Sequence, residues 1–168
     1  DVAVSNMGSN DVSVFRNVSS MGSISLATPS TLAAGTSPSA LIIGDFDGDT
    51  KLELATANTG SDNVSVFLNT SISGSITFAP KADFSTGVGS GPVAIAIGDI
   101  LGGGIPDMLV IAPGNSTGGL LLNTSTIGNL SFGGGFGPAP AASNLAISDL
   151  NADGRPDAVA AVEGTTSN

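Results

Sequence analysis

Apolar positions along this chain come in short runs. Val2-Ala-Val4, Val12-Ser-Val-Phe15, Leu41-Ile-Ile43, Val64-Ser-Val-Phe67, Val93-Ala-Ile-Ala-Ile97 and Leu145-Ala-Ile147 are bounded by Gly, Asn, Asp, Ser or Pro. None keeps a 3.6-residue periodicity for ten residues, so the pattern predicts strands joined by tight turns and nearly excludes helices. The run at Val93 ends at Gly98 and reads as a buried strand. No run approaches the roughly 20 residues of a membrane-spanning helix.

The runs recur. Asp1-Val-Ala-Val-Ser-Asn6, Gly8-Ser9 and Val12-Ser-Val-Phe15 return as Glu53-Leu-Ala-Thr-Ala-Asn58, Gly60-Ser61 and Val64-Ser-Val-Phe67, an offset of 53 − 1 = 52 residues. An apolar run closing on Gly-Asp or Ser-Asp ends at Asp45, Asp99 and Asp149, and a strand-closing Asn stands at Asn17, Asn69 and Asn123. All three landmarks share a period of about 50 residues. Four strands fit each unit: Ala40–Gly44, Leu52–Ala57, Asn63–Leu68 and Ser75–Ala79. The expected fold is therefore all-β, with blades of four antiparallel strands as in a β-propeller.

Composition narrows the chemistry. The 168 residues contain no Cys, His, Trp or Tyr. That excludes His- or Cys-dependent triads, thiolate chemistry, ordinary zinc sites and disulfides. With 14 acidic and 4 basic residues, the net charge of −10 disfavours nucleic acid and anionic membrane surfaces as partners. The chain has neither an initiator Met nor a signal peptide, as expected of a mature product or an excised fragment.

The excess acid is concentrated. Ten of the 14 acidic residues (Asp1, Asp45, Asp47, Asp49, Glu53, Asp99, Asp107, Asp149, Asp153, Asp157) share one register, the loop between the first and second strand of each unit. The loop Asp45-Phe-Asp-Gly-Asp-Thr-Lys-Leu-Glu53 has carboxylates at positions 1, 3, 5 and 9, and Asp149-Leu-Asn-Ala-Asp-Gly-Arg-Pro-Asp157 has Asp, Asn, Asp and Asp there. Alternate oxygen-bearing residues in a tight loop suit Ca²⁺, with the backbone carbonyl of Lys51 or Arg155 filling a further place. A solvated acidic turn is the competing reading, because Asp, Asn and Gly favour turns. It does not explain an acid opening the following strand. An EF-hand is disfavoured because Thr56 and Ala160 stand where its twelfth-position Glu belongs. The middle copy, Asp99 to Asp107, carries Leu101 and Gly103 at positions 3 and 5 and is expected to have lost its metal.

These residues resemble the FG-GAP and VCBS-type repeats of the integrin α-subunit propeller and of secreted bacterial proteins. The likeness rests on Ile43-Gly-Asp-Phe-Asp-Gly-Asp49, Leu54-Ala-Thr-Ala-Asn58, Asn63-Val-Ser-Val-Phe-Leu-Asn69 and Asp149 to Asp157. It implies one Ca²⁺ site at Asp45, Asp47, Asp49 and Glu53, and another at Asp149, Asn151, Asp153 and Asp157. Glu53 departs from the commoner Asp, which changes the denticity expected there.

The expected units are a partial blade over 1–39, a blade with an intact loop over 40–90, a blade with a degenerate loop over 91–143 and the start of another over 144–168. Together they form an open propeller or part of a larger one. The leading functional expectation is a non-enzymatic, calcium-stabilised extracellular module for adhesion, surface structure or self-assembly. Its partners would be other copies, the rest of a longer chain, glycans or a cell-surface protein. A carbohydrate-binding propeller is the alternative; the non-catalytic part of a secreted hydrolase or lyase stands further off. Asn17, Asn69 and Asn123 are candidate glycosylation sites in Asn-X-Ser register.

Overall fold

The computed structural model describes residues 1–138 and 142–162. The expected units 91–143 and 144–168 therefore include residues 139–141 and 163–168, which lie outside the described residues. Thirteen strands form four consecutive antiparallel sheets, each an up-and-down meander. The first holds β1 (Val2–Asn6), β2 (Asp11–Phe15) and β3 (Ser30–Ala33). The second holds β4 (Pro38–Gly44), β5 (Glu53–Asn58), β6 (Asn63–Phe67) and β7 (Ala82–Ser85). The third runs through β8 (Ala94–Gly98), β9 (Asp107–Ala112), β10 (Thr117–Asn123) and β11 (Phe132–Pro138). The fourth has β12 (Ala142–Ser148) and β13 (Asp157–Val162). A single 3-10 turn at Pro113–Asn115 is the helical element among the described residues. The arrangement is all-β, with open, propeller-like blades.

The fourth strand of the second sheet differs from its expected position. Ser75–Ala79 shows a strand-like alternation, but Ser75 and Phe78 bridge back to Ile72 and Asn69. The Ser71 hydroxyl locks this hairpin, accepting the Thr77 N–H at 3.0 Å and donating to the Thr77 carbonyl at 3.2 Å. The chain then passes Pro80 and pairs with β6 only from Ala82 onward. Ile76 and Phe78 look like strand residues because they alternate into the space between sheets, where they pack on the cluster of Val12, Val14, Leu54 and Phe67.

The core lies between blades. β5 is buried along its whole length, and its period-2 alternation serves two interfaces. Leu54 packs toward the first sheet, whereas Ala55 and Ala57 join Phe46, Val64, Val66, Ile95, Met108, Val110 and Leu121 against the third. Small residues on β5 let the neighbouring sheets approach. Buried polar groups are paired: Asn58 Nδ2 donates to Asn63 Oδ1 and Ser65 Oγ, both at 2.8 Å. Asn6 repeats the device on Asp11 and Ser13. Among the described residues, no buried side-chain polar atom lacks a partner.

Candidate metal centre

Each loop between the first and second strands is built on its position-1 aspartate. Asp45 accepts the N–H of Gly48 at 2.8 Å and of Thr50 at 2.9 Å. Asp99 accepts those of Gly103 and Gly104, and Asp149 those of Asp153 and Gly154. These bonds close a turn whose fourth and sixth residues are left-handed, with φ of 81° at Gly48, 76° at Gly102 and 62° at Ala152, then 73° at Thr50, 85° at Gly104 and 84° at Gly154. Thr50 is the strained member, because a β-branched residue disfavours that region.

Position 9 is a bracket. One oxygen of Glu53 accepts the Phe46 N–H at 2.7 Å and the other the Asn69 N–H at 3.4 Å. Asp107 does the same with Ile100 (3.0 Å) and Asn123 (2.8 Å), and Asp157 accepts the Leu150 N–H at 3.0 Å. Glu53 is completely buried, and burial, the largest cause, pushes its carboxyl above the usual carboxylate range. The same roles at positions 1 and 9 persist in the degenerate loop, so folding alone accounts for acids there.

Positions 3 and 5 are different. Asp45, Asp47 and Asp49 bring carboxylate oxygens within 4.8 Å of one another, the one such group of three acids among the described residues. Asp47 Oδ1 accepts the Asp49 N–H at 3.1 Å, and Asp49 Oδ1 the Lys51 N–H at 2.8 Å. The Lys51 ammonium donates to Asp49 Oδ2 at 2.9 Å, which lowers the Asp49 pKa and raises that of Lys51. In the last loop the Asn151 amide donates to Asp153 Oδ2 at 3.1 Å, and Asp153 Oδ1 accepts the Arg155 N–H at 2.9 Å. That loop has the same frame with one carboxylate fewer. Glu53 and Asp157 thus sit in the bracket, beside the three-residue cluster.

Two relationships were not legible as site features. Asp47 Oδ2 accepts the Gly128 N–H from the third blade at 2.7 Å, and Asn123 Nδ2 donates to the carbonyls of Phe46 and Pro106, both at 2.8 Å. The recurring Asn-X-Ser register is the lock of the hairpin. Asn17, Asn69 and Asn123 each accept the N–H of the Ser two residues on, and Ser19, Ser71 and Ser125 each accept an N–H from the returning arm. Asn69 Nδ2 is also engaged, donating to Leu52 O at 2.8 Å. The recurrence was the signal; its meaning required the hairpin.

Residues 45–110 match the family model of the FG-GAP-like repeat. Over these residues the chain carries an FG-GAP-type repeat. The match begins on the position-1 Asp45 and runs through the degenerate loop into β9, so it spans the framework common to both loops. A search of the curated proteins finds no match to the chain.

Proposed function

We propose that this FG-GAP-type repeat protein is a non-enzymatic, calcium-stabilised module of an extracellular protein, serving adhesion, surface structure or assembly. The observation carrying this reading is the convergence of Asp45, Asp47 and Asp49 within 4.8 Å in a loop whose frame forms equally well without the acids at positions 3 and 5. Hard oxygen donors at that spacing suit Ca²⁺, with the Lys51 carbonyl as a further ligand. Asp149, Asn151 and Asp153, with the Arg155 carbonyl, form a weaker second site. Two ions would bring the net charge from −10 to −6. Because Asp47 also holds Gly128, an ion there would stiffen the joint between blades.

The carbohydrate-binding alternative draws no support from the aromatic residues. None of the seven Phe is exposed. Of the three recurring positions Asn17, Asn69 and Asn123, Asn17 is the exposed one, from which a glycan could extend without breaking the carbonyl contacts made by Asn69 and Asn123.

The test is thermal melting in calcium and in EDTA, with calorimetric titration of Ca²⁺. We expect a higher melting temperature with calcium and loss of the stronger binding event in Asp45→Ala. Superimposable melts with no binding heat would overturn the reading.

A further inference from the structure

The sequence holds six Asn-X-Ser/Thr sequons, at Asn17, Asn63, Asn69, Asn115, Asn123 and Asn129. The fold engages most of these amides. Asn123 Nδ2 donates to two carbonyls, and Asn69 Nδ2 donates to Leu52 O. Asn63 Oδ1 accepts from Asn58 and Ser61, and the hydroxyl of its sequon, on Ser65, is buried between Asn58 and Asp83. The Asn115 side chain lies outside the described residues. Asn129 differs: it is exposed at the turn of the third blade's hairpin, off the recurring register of Asn17, Asn69 and Asn123.

We propose that Asn129 is an acceptor for an N-linked oligosaccharide. This rests on the extracellular part of the proposed function and not on calcium. The donor class is an oligosaccharide carried on a lipid diphosphate. Asn129 Nδ2 bonds to the anomeric carbon of the sugar, and the bond from that carbon to the diphosphate oxygen breaks. The lipid diphosphate leaves with the electron pair, and one Nδ2 proton passes to a base of the transferase. The folded chain must then supply an amide nitrogen that holds nothing else, and open space beyond it.

The hairpin meets both requirements. The Asn129 N–H donates to Thr126 O at 2.7 Å and its carbonyl accepts the Thr126 N–H at 3.0 Å, so the backbone closes the turn and the amide takes no part. The residues on either side are anchored: the Gly128 N–H holds Asp47 Oδ2, and Leu130 packs against the core between blades. Alternation along the hairpin arm then directs Asn129 away from that core. Its surroundings are the second and third blades, each a complete four-stranded sheet. Ser23 and Ser75 stand at the same place in the other two hairpins, bridging Ser20 and Ile72 as Asn129 bridges Thr126, and both are exposed. The hydroxyl two residues on belongs to the hairpin itself, since Thr77 reaches Thr70 at 3.0 Å and Ser131 reaches Thr124 at 2.9 Å. Folding therefore accounts for the hydroxyl of this sequon and not for its Asn.

The test is secretion of the 168-residue chain from cultured animal cells behind a cleavable leader, followed by intact mass and peptide mapping. Release by peptide-N-glycosidase in heavy-oxygen water marks each modified Asn as a labelled Asp. We expect the label at Asn129 in most molecules. Asn129→Gln should lose that label while its melting temperature stays unchanged, and Ser131→Thr, which keeps the hydroxyl, should retain it. Glycosylated and released forms should melt alike, because no native hydrogen bond uses the amide. A folded, secreted chain unlabelled at Asn129, or labelled only at other sequons, overturns the proposal. So does a glycan at Asn129 that lowers the melting temperature, since the fold would then have no room for it. The leader supplies the compartment, so failure at Asn129 counts against the site alone and leaves the extracellular reading and the calcium melts untouched.

Discussion

The Gly128 N–H donates to Asp47 Oδ2 at 2.7 Å, joining residues 81 positions apart and tying the acidic loop of the second blade to the hairpin of the third. Asp47 is 4% exposed. Its removal leaves a partly buried donor without its acceptor, so Asp47→Ala should cost about 1–2 kcal/mol even in chelator. Denaturant unfolding in EDTA measures this. A variant as stable as wild type under those conditions would reduce Asp47 to a ligand candidate only.

Glu53 presents a separate case, because both its oxygens accept backbone N–H groups. Gln offers one acceptor and turns an NH₂ against the second donor. Glu53→Gln is therefore expected to lose about 1–3 kcal/mol. Hydrogen exchange at the Phe46 and Asn69 amides should accelerate together. Unchanged protection at both amides would show that the bracket is not what holds the loop.

Asp62 accepts the Gly91 N–H at 2.8 Å and the Gly89 N–H at 2.7 Å, and these bonds hold its carboxyl below the usual carboxylate range. A depressed folded-state pKa gives stability that is present above the unfolded value and lost as pH falls through the folded one. Wild type should lose this contribution below about pH 4, near the unperturbed Asp value. Asp62→Asn should be less stable at neutral pH and show a shallower acid limb. Parallel acid titrations of the two proteins' stability would contradict the assignment.

Lys51 competes with any cation for Asp49 Oδ2. Its removal leaves the backbone carbonyl in place and frees that oxygen. Lys51→Met should tighten Ca²⁺ binding by roughly two- to fivefold, as befits an exposed ion pair. Calorimetry decides this, and weaker binding in the variant would mean that the ammonium supports the loop instead of blocking it.

The strands, the 52-residue offset and the acidic loop register were legible in the sequence because strand alternation and turn chemistry are local, involving residues two to nine positions apart. Position 1 could be read as a turn-former and positions 3 and 5 as oxygen donors on the same grounds. Ser75–Ala79 misled for an equally local reason: Ile76 and Phe78 alternate as strand residues do, and only the pairing of Ser75 with Ile72 shows a hairpin arm directed between blades. The second bond of Glu53, to Asn69, and the Asp47 contact with Gly128 join groups 16 and 81 residues apart. The sequence by itself determined which elements form and how often they recur. The tertiary structure decided which carboxylates are absorbed by the backbone and which converge as a candidate site, because a carboxylate's role depends on which N–H groups the neighbouring strands bring to it.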